Sequence, residues 1–242
     1  MKVYIQTNRK NEIMNDSFFK AYMGYKEMGF EIIFFSDIND VPRTNKEDIV
    51  VGYVDEVREY LSSFGITAPE LDYPEEINKY LGRRIWKSKL SHISNNPDTW
   101  PVFVKSVEDK KFKGVVVRNT GDLIGCGDYE NDTDVWCSEI VNFVSEYRVY
   151  VYYGKIVGVS QYKGDFRKCY DPLVIENAVH DYANCPKGYA MDFGVTQDGK
   201  TLLIEVNDGY ALGSYGLYYP LYAKLLSARW AELTGSEDEC NF

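Results

Sequence analysis

The chain is 242 residues long with 45% hydrophobic and 26% charged residues, proportions that exclude a disordered or fibrous class and allow one sizeable core built from two or three subdomains. Its formal net charge of −10 argues against nonspecific attachment to nucleic acid or to an anionic membrane, since both need basic surface. The five cysteines, Cys126, Cys137, Cys169, Cys185 and Cys240, include no Cys-x-x-Cys spacing, so reduced thiols are expected. No apolar run approaches the roughly 20 residues of a membrane helix. Residues 1–6 run directly into a strand-like segment, so no signal peptide is expected and the expected location is the cytoplasm.

In chain order, Lys2–Gln6 reads as a strand, residues 16–28 as an amphipathic helix ended by Gly29, and Glu31–Phe35 as a second strand. Residues 49–53 and 55–64 follow as strand and helix, the helix closed by Gly65, so the first 70 or so residues predict a small βαβαβ layer of parallel type. A basic stretch over 75–93, carrying Arg83, Arg84, Lys87 and Lys89, is expected to be helical, with Pro97 and Pro101 at its exit. Short strands are then expected at 102–105, 114–118, 135–141, 146–153, 156–161, 190–195 and 201–207, with helices at 173–182 and 218–233. Turns at 153–155 and 197–200 contain the glycines that tight hairpins favour, which predicts an antiparallel body. The 21 tyrosines, many in the alternating run 147–153, suit sheet surfaces.

Three constellations carry chemistry. In the first, alternation along a strand puts Glu205 and Asn207 on one face while Ile204 and Val206 enter the core, and hairpin pairing brings Asp192 beside Glu205. Hard oxygen donors of this kind suit magnesium; solvated strand residues that begin a turn are the alternative. The second is Lys105, which ends the apolar run Val102, Phe103, Val104, followed by the basic turn Lys110, Lys111, Phe112, Lys113, Gly114. Lysine and backbone there can close on a phosphate, or the turn is a solvated hairpin. In the third, residues 136–148, a strand leaves its sheet at Asn142, freeing backbone for an adenine edge. Glu146 can accept from ribose hydroxyls, and Arg148 lies two residues on, on the same face, with a guanidinium that fits phosphate or carboxylate. A surface pair between Glu146 and Arg148 is the other reading. The two histidines, His92 and His180, read as surface or packing residues, and no Ser/His/Asp constellation is legible.

The ordered set Phe103-Val104-Lys105, Glu139 with Glu146 seven residues on, Asp192, and Glu205-x-Asn207 resembles the ATP-grasp superfamily over about residues 75–232. Within it, Ser145-Glu146-Tyr147-Arg148, Val159-Ser160-Gln161-Tyr162 and Tyr170-Asp171-Pro172-Leu173 look like the divergent clade marked by two arginines and one lysine, which includes eukaryotic translation-factor assembly proteins. The resemblance implies an α+β ATP-grasp fold, with an N-terminal α/β layer over 1–74 and an ATP-grasp domain over 75–242 whose two α+β subdomains clasp the nucleotide. It makes Lys105 and Arg148 catalytic. It assigns ATP to Lys105, Glu139, Ile140, Val141, Asn142, Glu146 and Arg148, and Mg²⁺ to Asp192, Glu205 and Asn207; Lys113, in the basic turn that stands where the family has a Gly/Ser-rich phosphate loop, is expected to join them at the phosphates. The second signature arginine is expected near the hinge strand, where the chain reads Cys137-Ser138-Glu139-Ile140, so Arg118, Arg83 or Arg84 are candidates to serve instead.

Acceptor recognition is expected from Gln161, Lys163 and Arg167, and from Tyr215 in the Gly-rich segment 208–217 after the metal strand. The leading expectation is a carboxylate-amine ligase acting through an acylphosphate on a peptide, a protein or a small amino compound. An ATP-binding assembly factor and a phosphotransferase are the alternatives.

Overall fold

A computed structural model describes residues 1–108, 111–127 and 132–242; Lys110 of the basic turn lies outside them. The chain divides into two compact units, one formed by Met1–Tyr80 with Phe143–Phe242 and the other by Leu81–Asn142.

In the larger unit, β1 (Lys2–Gln6) lies between β2 (Glu31–Phe35) and β3 (Ile49–Val51), parallel to both. The run of Val3, Tyr4 and Ile5 is buried, the pattern of a central parallel strand covered on both faces. Helix α1 (Asp16–Glu27) starts where Asn15 accepts a hydrogen bond from the Phe18 amide at 2.9 Å. Helix α2 (Val54–Ser62) follows β3 and buries Val57, Tyr60 and Leu61. The C-terminal helix α5 (Tyr219–Thr234) carries Pro220 in its first turn and ends at Gly235 in the left-handed conformation. Its Trp230 is 2% exposed, packs on Tyr60 and donates to the Lys46 carbonyl at 3.0 Å. One core therefore joins β1–β3, α1, α2 and α5.

Helices α1 and α5 approach closely at Gly24, where an added Cβ would lie 2.4 Å from the Tyr219 carbonyl oxygen and 2.7 Å from Ala223 Cβ. Alanine is favoured over glycine inside a helix by roughly 1 kcal/mol, but a clash with backbone cannot be relieved by a side-chain rotation and overpacking costs about 1–3 kcal/mol. Gly24→Ala is therefore expected to destabilise the chain by up to about 2 kcal/mol, read as a lower midpoint in urea at unchanged slope.

The second sheet of this unit is antiparallel, in the order β11-β10-β8-β9. Its members are β8 (Phe143–Tyr152), β9 (Lys155–Gly164), β10 (Gly188–Thr196) and β11 (Thr201–Asp208). Tight turns at Tyr153-Gly154 and at Asp198-Gly199 join the consecutive pairs, with positive φ at Tyr153, Gly154 and Gly199. Helix α4 (Pro172–Asp181), capped by Asp171, lies between β9 and β10 in sequence.

The smaller unit holds the antiparallel sheet β4-β7-β5-β6, built from β4 (Ile85–Lys89), β5 (Val102–Ser106), β6 (Val115–Val117) and β7 (Asp134–Ser138). Val102, Val104, Val117, Val135 and Cys137 pack with Ile93 of the short helix α3 (Leu90–Asn95). The structure corrects the expectation of one helix over 75–93. That stretch is a 3-10 helix over Glu75–Tyr80, then a bend through Gly82 at φ 60°, then β4, then α3. Lysines at 87 and 89 alternate with Trp86 and Ser88 in a period of two, and pairing with β7 rewards that period over helix propensity. All five cysteines are free. Among the described residues no helix is long and apolar enough to cross a membrane.

Candidate functional site

The antiparallel sheet of the larger unit assembles a polar row. Arg148 of β8 stands opposite Asp192 of β10, which stands opposite Glu205 of β11, and Ser160 of β9 completes the row on the other side of Arg148. Asn207, two residues past Glu205, shares its face. The register shifts between Asp192 and Phe193, so that Phe193 pairs with Leu203 and Ile204 is the extra residue, the local irregularity of a β-bulge.

Arg148 and Asp192 are 6% and 3% exposed and form a two-pronged pair, Nε to Oδ1 at 2.8 Å and Nη2 to Oδ2 at 2.7 Å. Asn207 Nδ2 donates to the same Oδ2 at 3.3 Å. Burial raises the Asp192 carboxyl above its ordinary value, against the opposing pull of Arg148. Burial acts to lower the guanidinium, but the hydrogen bonds and charge of Asp192 hold it raised. Arg148 therefore stays a cation. The donors Glu205, Asp192 and Asn207 are all oxygens, the set that Mg²⁺ accepts alongside water and phosphate. Among the described residues no group of three or more His, Cys, Asp or Glu side chains is placed to hold a metal.

The segment after β11 closes over this row. The Gly213 carbonyl accepts from Tyr150 Oη at 3.1 Å and from Arg148 Nη1 at 3.5 Å, and the Leu212 carbonyl accepts from Tyr222 Oη at 2.6 Å. Ser214 is tied to the start of α1, its amide donating to Ser17 Oγ at 3.0 Å and its hydroxyl to Asp16 at 3.1 Å. Tyr215, at φ 31°, stacks on Tyr162 with ring centres 5.0 Å apart, and the Arg148 guanidinium lies 4.7 Å from the Tyr215 ring centre. A non-glycine residue at positive φ is strained, and here the stack and the Ser214 contacts hold it.

The remaining expected residues of this unit separate into two groups. Glu146 shares the face of Arg148, and Lys163, opposite it in register, reaches its carboxylate at 2.5 Å. Gln161 lies on the other face, where its Nε2 donates to Ser145 Oγ at 2.9 Å. The Arg167 fork closes on Asp165 at 2.9 Å in the exposed turn after β9. Read from sequence, Tyr162 and Ser214 have a place in their motifs but no individual role, and neither Ser17 nor Asp16 is singled out for the site. Strict alternation from Gln161 and Lys163 misplaces Tyr162, because the β8–β9 register shifts between Glu146 and Tyr147. The contact of Ser214 with residues 197 and 198 positions away in sequence leaves no local signal.

In the smaller unit, Lys105 is half-buried on β5, on the strand face opposite buried Val102 and Val104. Lys113 is exposed in the turn before β6. Strand β7 ends at Ser138, so Glu139, Ile140, Val141 and Asn142 form the irregular segment after it. There the Glu139 amide donates to the Arg84 carbonyl at 3.1 Å, and its carboxylate accepts from the Arg84 amide at 2.9 Å. Arg84 lays its guanidinium over Trp86, Arg83 donates to the Leu81 carbonyl, and Arg118 is exposed.

A second, largely buried ion pair lies one residue beyond the row. Asp208 follows Asn207 and so takes the opposite side of β11, where Arg229 of α5 grips it through Nε and Nη2, each at 2.6 Å, and reaches Glu232 at 2.8 Å.

The fold recurs in solved structures. The chain is similar to a RimK domain protein ATP-grasp from Sphaerobacter thermophilus, with TM-score 0.59 and 13% identity over 92% of this chain and 98% of that one. It is similar to the D-alanine–D-alanine ligase of Bacillus anthracis, with TM-score 0.56 and 14% identity over 97% and 99% of the two chains. The L-amino acid ligase of Bacillus licheniformis gives TM-score 0.57 and 10% identity over 95% of this chain and 75% of that one. At these identities the likeness shows the fold, which is ATP-grasp. Comparison with curated protein sequences finds no match. The family model for the ATP-grasp domain, R2K clade family 2, matches residues 80–225, more than half of the chain, and the protein belongs to that family.

Proposed function

We propose that the protein is an ATP- and Mg²⁺-dependent ligase that activates a carboxylate for attack by an amine. The observation that carries this reading is the row Arg148, Asp192, Glu205 with Asn207 on one sheet face, a fixed cation beside hard oxygen donors in a chain of the ATP-grasp family. ATP would supply the phosphoryl group that turns the carboxylate into an acylphosphate, and Mg²⁺ would neutralise phosphate charge. Asp192, Glu205 and the Asn207 oxygen would hold the metal. Arg148, kept charged and oriented by Asp192, would stabilise the transferred phosphoryl group, and Lys105 would bind phosphate. Glu146 would take the ribose hydroxyls, the backbone of Glu139–Asn142 the adenine edge, and Lys113 the phosphates. This chemistry needs no side-chain nucleophile. Lys163 and Tyr215, which flank the polar row, would face the acceptor; Gln161 and Arg167 would contribute only from farther out. ATP as the substrate implies the cytoplasm.

The test is release of ADP and phosphate across pairs of amino acids and peptides. Turnover requiring both a carboxylate and an amine supports the reading, whereas a stable phosphorylated product without amine consumption would mark a phosphotransferase. Binding to the folded state stabilises it by about 2.7 kcal/mol at a nucleotide concentration 100 times Kd. Mg-ATP is therefore expected to raise Tm in the parent chain, and Glu205→Gln to remove most of that rise. An unchanged rise in the variant would take Glu205 out of the metal site.

A further inference from the structure

The irregularity in β9 turns two successive side chains toward one carboxylate. Ser160 stands opposite Arg148 and Gln161 opposite Tyr147, so ordinary alternation brings Tyr162 onto the face of Arg148. The register then shifts, Lys163 pairs with Glu146, and Tyr162 is the extra residue of a β-bulge. The Tyr162 phenol is within hydrogen-bonding reach of Glu146, and the charges of Asp192 and Arg148 act on it as well. Burial first, then Asp192 and Glu146, push that phenol well up, so it stays protonated and donates. Its ring carries Tyr215, stacked with centres 5.0 Å apart at an interplanar angle of 22°. Tyr215 needs that support, because its backbone is at φ 31° and it is 48% exposed. Lys163 also reaches Glu146, but its side chain is 66% exposed, where an ion pair is screened and a long stem keeps its freedom. Half-buried Tyr162 is the stiffer of the two supports.

We infer that Tyr162 is a positioning residue with two duties: its hydroxyl holds Glu146 in place for the ribose hydroxyls, and its ring holds Tyr215 and the segment around it in place beside Arg148. The ribose half rests on the proposed nucleotide site, whereas the loop half rests only on geometry within the larger unit. Two substitutions pull the duties apart. Tyr162→Phe keeps the ring and loses only the hydroxyl, and Tyr162→Leu loses both. A residue that merely filled space would cost stability in these variants without changing which nucleotide is preferred.

The experiment measures by calorimetry the affinities of Mg-ADP and of its dideoxy analogue, which lacks both ribose hydroxyls, for the parent chain, Tyr162→Phe, Tyr162→Leu and Glu146→Gln. Amide hydrogen exchange over residues 213–217 is followed in the same chains without nucleotide. A hydrogen bond to a charged group sets the scale: the parent is expected to prefer ADP by about tenfold or more, and Tyr162→Phe by about threefold or less, with loop exchange within about twofold of the parent. Tyr162→Leu should lose the preference to the same extent and exchange its loop amides at least about fivefold faster. Tyr162→Phe keeping the parent's preference while Glu146→Gln loses it overturns the ribose half alone. Tyr162→Leu exchanging at the parent's rate overturns the loop half. If the parent shows no preference, or Glu146→Gln keeps it, Glu146 is not the ribose residue; if the parent binds no Mg-ADP, the nucleotide reading itself falls. Each of these results takes the ribose half with it and leaves the loop half to the exchange rates. Should Tyr162→Phe fail to fold, a structure of the parent with Mg-ADP decides: a Tyr162 hydroxyl on the carboxylate that holds the ribose supports the ribose half, and Glu146 holding the ribose without Tyr162 overturns it.

Discussion

Arg148→Met is expected to destabilise the chain by about 3–5 kcal/mol, the cost of leaving a buried carboxylate without its partner. Met fills most of the volume of the arginine stem, so the loss comes from charge and hydrogen bonds and not from a cavity. Of the three hydrogen bonds described above, Asp192 then keeps the 3.3 Å contact from Asn207, at 3% exposure. At roughly 2–4 °C per kcal/mol for a chain of this size, Tm should fall by about 6–20 °C. The pH dependence gives a second check. Burial already raises the Asp192 carboxyl, and without the guanidinium it rises further. A folded-state value above the unfolded one, near 3.9, means that stability is lost as pH rises through the window between the two and is recovered below it. The difference in Tm between parent and variant should therefore be largest near neutral pH and shrink on acidification. A gap that does not change from pH 7 down to about pH 4 would show that Asp192 is not the strained group.

Arg229→Met is expected to cost a similar 3–5 kcal/mol, and for the same reason. The Asp208 side chain is 11% exposed, its carboxyl raised by burial against the pull of Arg229, and both of its oxygens are gripped at 2.6 Å. The two variants should part in function. Asp208 points to the side of β11 opposite Asn207, and its partner comes from α5, so the damage is confined to the face away from the polar row. Mg-ADP affinity of Arg229→Met, measured by calorimetry at a temperature where the variant is folded, should stay within about threefold of the parent, well under the 1.4 kcal/mol of a tenfold change. Loss of nucleotide binding together with stability would mean that the two faces of β11 do not act separately.

Much of the fold follows from local pattern. The apolar run of β1, the Asn15 cap of α1, and the Gly-containing turns of the antiparallel sheet each act over a few residues, and each element forms where its pattern places it. The basic stretch at 85–89 shows where that reasoning stops. Its charged residues suit an exposed helix as well as an exposed strand face, and only the partner β7, some fifty residues away, selects the strand. The β8–β9 register is similar. Alternation is sound on either side of the shift, but a shift is a property of the pair of strands, so the place of Tyr162 was not legible from β9 alone.

The sequence by itself determined that Glu205 and Asn207 share one face, because the side-chain period of a strand is set by the backbone of that strand. It also determined that Glu146 and Arg148 share a face, by the same rule on β8. Only the tertiary structure decided what those side chains do to one another. Arg148 finds Asp192 across 44 residues and Glu146 finds Lys163 across 17, and Ser214 meets the start of α1 across nearly the whole chain. Those choices depend on which strands become neighbours and in what register, and on burial that leaves a guanidinium no water to turn to. A strand's own alternation states the direction of a side chain, and the partner it meets there is chosen by the packed sheet.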